Sequence, residues 1–309
     1  MNAGKGITTI TPERLRLWMA EGRDFMLLDT LPEDVYRKRH LPGARNACVY
    51  EVVFPQRVEA IVSERSREIV VCGSSIVSMD AVAAAEKLVR LGYKSLYVLS
   101  GGLAAWREAG FPLEGDEIGG TVDPGTRLIL ADGVYSVDTG QSVVEWTGRN
   151  ANGRHFGTIK LAGGEITVRG REVSGDFTID MRTIKNVDLE SNEWQPVLIA
   201  HLESDDFFFV KLFPRARFTM TSAELPDDPT LSSPNLEVEG ALELRGVRNS
   251  LSFPVTVSTL ADGRIVAEAH FDLDRTRWNV IYGSSRFFEH LGMHLVFDPI
   301  TIQLRIVTC

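Results

Sequence analysis

Two periodicities divide the chain. From Ile7 to about Gly115, short apolar runs alternate with segments whose apolar residues recur at helical spacing. The runs FMLLD, EIVVC and SLYVL read as strands, and the segments between them as helices. Thr11 is placed to cap a helix with Pro12 at its first position and Leu15, Trp18 and Met19 on one face. From Ser78 to Leu91 the spacing of Ala81, Ala84, Ala85 and Leu88 predicts a longer helix with one buried face. A short strand near Ala47 to Tyr50 and a helical GLAAWREAG complete the set. Such alternation implies a mostly parallel sheet covered by helices, with functional loops at the carboxyl ends of its strands.

Beyond about Gly133 the period becomes two. Leu236, Val238, Leu242 and Leu244 alternate with Glu237, Glu239 and Glu243; Leu251, Phe253, Val255 and Val257 alternate with Ser252, Thr256 and Ser258; Ile300, Ile302, Leu304 and Ile306 alternate with Thr301, Gln303 and Arg305. Each such strand has one wet and one dry face. Asn152-Gly153 and Asp262-Gly263 lie between strand-like runs and tolerate the positive φ of tight hairpins, so the region reads as antiparallel. Periodicity alone leaves open a two-sheet sandwich or a barrel, and a barrel of about eight strands can enclose one small ligand.

Length agrees with this division, since 309 residues exceed the usual domain of roughly 100–200. The expected partition is a first domain over 1–115, a Gly- and acid-rich linker over 116–130 and a second domain over 131–309. A composition 44% hydrophobic and 24% charged supports two cores and argues against disorder. The formal net charge of -9 disfavours general binding to nucleic acid or to an anionic membrane surface. No apolar stretch approaches the ~20 residues of a spanning helix, and the first residues lack the pattern of a secretory signal, so a reducing cytoplasm is expected. Three cysteines, Cys48, Cys72 and Cys309, suit neither a disulfide framework nor a paired-thiolate zinc site. His290 and His294 have the spacing of a helical metal pair, but Gly292 interrupts the helix, so no metal and no other cofactor is expected.

Cys72 ends an apolar run and precedes CGSSIVS, a Gly/Ser-rich loop leading into the long helix. A helix N-terminus favours a thiolate and can cradle an anion; the same position also suits a small apolar strand end. The surrounding motifs bear on the choice. LLDT with Asp29, EDVYRKRHLPG with His40, Pro42 and Gly43, and LSGGLAAWREAGFPL with Gly101, Gly102, Trp106, Gly110 and Pro112 together resemble the rhodanese domain family over about Ile7 to Gly115. By that resemblance Cys72 is the sulfur-accepting nucleophile, Gly73, Ser74, Ser75, Ile76, Val77 and Ser78 form the loop that stabilises its persulfide, and Asp29 and His40 support the site. The partners implied are a sulfane-sulfur donor and a thiol acceptor. The loop departs from the family where Arg or Lys commonly follows the cysteine, and Thr30 stands where Arg usually follows the aspartate. Each missing charged hydrogen bond removes about 1.5–3 kcal/mol of stabilisation from a doubly charged donor, which counts against thiosulfate.

The second half resembles the YceI-like family. VYSVDTGQSVVEWTG, IAHLESDDFFFVKLFPRARFTMT, LEVEGALELRGVRNSLSFPV and FDLDRTRWNVIYG carry the likeness. The resemblance implies a lipocalin-like antiparallel barrel for a long amphiphile such as a polyisoprenoid or isoprenoid quinone. Candidate ligand contacts are Trp146, Phe177, His201, Phe218, Phe253, Phe271 and Trp278, though the same rings would equally fill a solid core. His201 alternatively anchors the segment before Phe207, Phe208 and Phe209, which read as a wedge at one barrel end. Two readings of the whole remain: a persulfide-forming sulfurtransferase-like domain joined to an amphiphile-binding barrel, or a non-catalytic docking domain on a lipid carrier.

Overall fold

The computed structural model describes residues 6–117, 128–227 and 229–309. Two compact units are present, Met1–Val122 and Asp123–Cys309. The segment over 118–127, which carries most of the expected linker, lies outside the described residues.

Unit 1 runs β1 (Ile7–Ile10), α1 (Pro12–Ala20), β2 (Met26–Asp29), α2 (Glu33–Lys38), β3 (Arg45–Asn46), α3 (Phe54–Ile61), β4 (Glu68–Cys72), α4 (Asp80–Arg90), β5 (Ser95–Leu99) and α5 (Gly102–Glu108). The five strands pair in parallel in the order β1-β5-β4-β2-β3. Successive side chains of a strand point to opposite faces, and each face of this sheet has its own core. Ile69 and Val71 of β4 pack with Phe54 and Val58 of α3 and with Ala81, Ala84, Ala85 and Leu88 of α4. Val70 and Cys72 turn the other way, toward Leu15 and Trp18 of α1 and Leu103 and Trp106 of α5. The Thr11 hydroxyl accepts from the Arg14 N–H at 3.3 Å, with Pro12 in the first turn. The strand expected near Ala47 to Tyr50 is shorter and earlier: pairing ends at Asn46, and Ala47 and Val49 bond through their N–H groups to the Asp29 and Thr30 carbonyls from a turn.

Unit 2 runs β6 (Gly133–Ser136), β7 (Val143–Asn150), β8 (Gly153–Arg169), β9 (Glu172–Asn186), α6 (Trp194–Glu203), β10 (Arg215–Glu224), β11 (Leu236–Leu244), β12 (Val247–Thr259), β13 (Ile265–Asp274) and β14 (Pro299–Val307). All pairings are antiparallel, in the order β6-β8-β7-β14-β13-β12-β11-β10-β9, and β9 returns to β8. That last pairing closes an eight-stranded barrel, with β6 added beside β8, and leaves the barrel strands no free edge. Inward positions of β11 and β12, including Leu236, Val238, Phe253, Val255 and Val257, are buried while Glu237, Glu239 and Ser252 face water.

The turns differ in part from expectation. Gly263 has φ +87°, as the Asp-Gly reading requires, but neither Asn152 nor Gly153 has positive φ. There the Asn150 side chain shapes the hairpin, its Oδ1 accepting the N–H groups of Asn152 and Gly153, both at 2.9 Å. The tight turn between β11 and β12 is instead made by Arg245 (φ +52°) and Gly246 (φ +72°).

Candidate functional site

Cys72 is the last residue of β4 and pairs in register with Asp29, the last residue of β2. The alternation that sends Val71 toward α4 sends Cys72 into the core under α1 and α5, where it is 0% exposed. Burial, and then the nearby carboxyls of Asp29 and Asp80, push its thiol well above the ordinary range. The environment therefore opposes the thiolate, contrary to the expectation from a helix N-terminus. Asp80 opens α4, is 3% exposed, and accepts the N–H groups of Ser74 at 2.9 Å and Ala81 at 2.7 Å.

The loop from Gly73 to Ser78 has a fixed inner part and an exposed outer part. The carbonyls of Gly73 and Ser74 accept the N–H groups of Leu103 at 2.8 Å and Ala104 at 2.9 Å, in the first turn of α5. A Cβ on Gly102 would stand 2.2 Å from the Gly73 carbonyl oxygen, so glycine there permits the approach. Ile76 and Val77 are 76% and 89% exposed. The Ser75 carbonyl accepts the Ser78 N–H at 3.3 Å, and the Ser78 hydroxyl accepts the Asp80 N–H at 3.4 Å. Thr30, the residue after Asp29, is buried and closes the strand end: its N–H and hydroxyl both donate to the Cys72 carbonyl at 3.0 Å.

Asp29 is 0% exposed, and burial pushes its carboxyl up to about 6, against the hydrogen bonds from the Leu31 N–H and the Asn46 amide. Its second oxygen is buried without a hydrogen-bond partner among the described residues. His40 is engaged elsewhere: Nδ1 lies 2.7 Å from the Tyr36 carbonyl, Nε2 lies 3.6 Å from Glu114, and its ring stacks on Tyr36. It clasps the end of α2 to the segment after α5.

In unit 2 the barrel encloses a cavity of about 250 Å³ lined by apolar side chains, with Arg275 as the one charged residue in its wall among the described residues. The lining runs along β9 from Val173 to Ile184, roughly 35 Å of strand at ~3.3 Å per residue. The apolar wall therefore extends along most of that strand. Phe177, Phe218, Phe253 and Phe271 form a chain of rings along its wall, with successive centroids 6.4, 5.5 and 4.2 Å apart. Trp146 lines it too, and its buried indole N–H has no acceptor. Phe207 and Phe208 line it, whereas Phe209, the third ring of the expected wedge, does not.

Two of the candidate contacts lie outside the lining. Trp278 is 0% exposed and donates its indole N–H to the Leu242 carbonyl at 2.8 Å, as part of the solid core beside the cavity. His201 lies in the last turn of α6, where its ring meets Phe207 and Tyr282 edge-on at 4.9 and 4.7 Å and Nε2 lies 3.4 Å from Asp206. His290 and His294 share no helix, since His290 has φ +56° and only a short 3-10 turn, Gly292–His294, follows.

Arg275 was not among the sequence candidates, although a signal existed. The inward phase of β13 runs Ile265, Ala267, Phe271, Leu273, and the next inward position holds an arginine. Its guanidinium donates to the carbonyls of Val280 at 2.5 Å, Phe297 at 3.2 Å and Val296 at 3.1 Å, with Asp298 3.8 Å away. It ties the segment after β13 over one end of the barrel.

A family model for the YceI-like domain matches residues 135–308, more than half of the chain. The chain belongs to the YceI-like domain family. A second model, for the rhodanese-like domain, matches residues 11–109, so a rhodanese-like unit precedes the YceI-like barrel. Among solved structures, BcnA of Burkholderia cenocepacia is 19% identical, with 56% of this chain and 99% of that chain covered and a TM-score of 0.45. A polyisoprenoid binding domain from Saccharophagus degradans is 16% identical, covering 56% and 97%, with a TM-score of 0.40. The Alr3790 protein of Anabaena sp. is 28% identical over 34% of this chain and 91% of that chain, with a TM-score of 0.31. The curated "Rhodanese-like domain-containing protein 14, chloroplastic" of Arabidopsis thaliana is 27% identical over 130 residues; the match spans 29% of this chain and 58% of that protein. No helix among the described residues is long and apolar enough to cross a membrane.

Proposed function

We propose that the YceI-like barrel holds one long, mostly apolar chain, a polyisoprenoid or isoprenoid quinone, and that the rhodanese-like unit carries sulfane sulfur on Cys72. The observation that carries the first part is the apolar cavity of about 250 Å³, whose lining extends along β9 and so matches an apolar chain better than a polar ligand. Its walls offer little to a charged group, because the Arg275 guanidinium is already spent on backbone carbonyls. The second part is supported by a thiol at the end of β4, followed by a six-residue loop and the start of α4. In covalent transfer the thiolate accepts a sulfur as a persulfide and yields it to an acceptor thiol.

The burial of Cys72 favours a second reading, in which the rhodanese-like unit is a docking domain with a silent thiol. Intact-mass spectrometry on the full chain, before and after incubation with a sulfane-sulfur donor, separates the two. A one-sulfur gain located on Cys72 supports carriage, and no gain with several donors leaves the docking domain. Organic extraction of the same preparation tests the barrel. A stoichiometric long-chain amphiphile supports the proposal, whereas an empty extract together with no uptake of added isoprenoid quinone refutes it.

A further inference from the structure

The carboxyl group of Asp80, at the start of α4, folds back onto the loop after Cys72. Asp80 is 3% exposed, and its two oxygens take the N–H groups of Ser74 and Ala81 at 2.9 and 2.7 Å, at the amino end of α4. Amides at that end of a helix are where an incoming anion would be bound. A second observation concerns Gly73. A Cβ there would stand 1.9 Å from Asp80 Oδ1 and 2.7 Å from its Cγ. A side chain at 73, including the Arg or Lys that similar loops carry, and Asp80 in this pose exclude one another. Glycine at 73 thus leaves the space that the Asp80 carboxyl occupies. A third observation is the rim: Ile76, Val77, Met79 and Tyr50 are exposed, with Tyr50 beside Ser78.

We infer that Asp80 is a specificity-determining residue that sets the charge of the sulfur carrier, turning away dianions such as thiosulfate and admitting an uncharged persulfide with an apolar body. The inference rests on the sulfur-carrying reading of Cys72. Bringing a dianion against a buried carboxylate adds like-charge repulsion and finds the nearest amides taken. A hydropersulfide in its neutral form meets neither obstacle, and an apolar body matches the rim. The transfer balances without an oxidant. The deprotonated Cys72 Sγ attacks the terminal sulfur of R–S–SH, a Cys72 S–S bond forms as the carrier's S–S bond breaks, and the electron pair leaves as R–S⁻. That thiolate takes up the proton lost by Cys72, so the sum is Cys72–SH + RSSH → Cys72–SSH + RSH.

The test compares the full chain with its Asp80→Asn variant, which keeps the size and an acceptor oxygen but removes the charge. Two readouts are taken by peptide mass spectrometry. The first is the rate of Cys72 alkylation by neutral iodoacetamide relative to anionic iodoacetate, normalised to exposed Cys309, a ratio that needs no sulfur chemistry and cancels the common effect of burial. The second is persulfide loading from benzyl hydropersulfide and from thiosulfate. The expected result is at least a fivefold fall of the alkylation ratio in Asp80→Asn, with thiosulfate loading appearing only in the variant. Asp80→Glu, which retains the charge, keeps the wild-type ratio. An alkylation ratio within twofold of wild type in Asp80→Asn, or wild-type loading from thiosulfate as fast as from benzyl hydropersulfide, overturns the inference. A fallen ratio with no loading of either protein from either donor overturns the sulfur-carrying reading while leaving the charge selection in place.

Discussion

Replacing Asp29 with asparagine is expected to stabilise the rhodanese-like unit at alkaline pH and not at acidic pH. Burial raises the Asp29 carboxyl from its ordinary 3.8 to about 6, and one of its oxygens lacks any partner among the described residues. An acid whose pKa is raised by folding favours the folded state while protonated. Its contribution is full below the unfolded value and is lost as pH rises through the folded one. A shift of that size corresponds to about 3 kcal/mol in all, and to about 2 kcal/mol between pH 4.5 and pH 8. No discount for solvent screening applies, because the side chain is 0% exposed. Asparagine has the same shape, keeps an acceptor for the Leu31 N–H, and is never charged. The stability difference between Asp29→Asn and wild type should therefore move by about 2 kcal/mol in the variant's favour across that interval. Urea titration followed by hydrogen-exchange mass spectrometry on peptides covering β2 and β4 reads this unit apart from the barrel. A difference that stays constant with pH would mean that the carboxylate is well solvated in the folded state and that burial does not raise its pKa.

Two further outcomes concern the barrel. Ala267→Phe places a ring in the cavity, so copurifying or added amphiphile should fall at least tenfold in organic extracts with little loss of thermal stability; a solid interior would instead show an overpacking cost of about 1–3 kcal/mol. Arg275→Met leaves the carbonyls of Val280, Val296 and Phe297 without their donor, and should cost about 3–5 kcal/mol in chemical denaturation of the barrel, with Arg275→Lys a poor rescue because an ammonium cannot span the same fork.

The helices and strands were legible where one face is dry and the other wet. The spacing of Ala81, Ala84, Ala85 and Leu88 found α4, and all four are buried. The alternation of β11, β12 and β14 found the inner wall of the barrel. Closure was not in the pattern, since it depends on β9 meeting β8 and β10 on opposite edges, a long-range pairing that period-two strands permit but do not require. α6 was missed because its run, WQPVLIAHLE, is apolar nearly all round and sits among strands. At the thiol, the strand end and loop were readable, but the direction of the Cys72 side chain was not. It followed from the phase of β4, in which Val70 and Cys72 share a face. Asp80 lies only eight residues beyond Cys72, yet nothing in its spacing shows that its carboxylate folds back onto the Ser74 amide.

The stitching of the Cys72 loop to α5 also divides its tolerance for change. Gly73 and Ser74 give their carbonyls to the first turn of that helix, and neither Gly73 nor Gly102 has room for a Cβ. Ile76 and Val77 stand in solvent. Added bulk, whether a persulfide's extra atom or an engineered residue, can be relieved only along the outer arc. A redesign aimed at anionic donors would accordingly introduce its arginine at position 76 or 77, leaving the inner arc bonded to α5 as it stands.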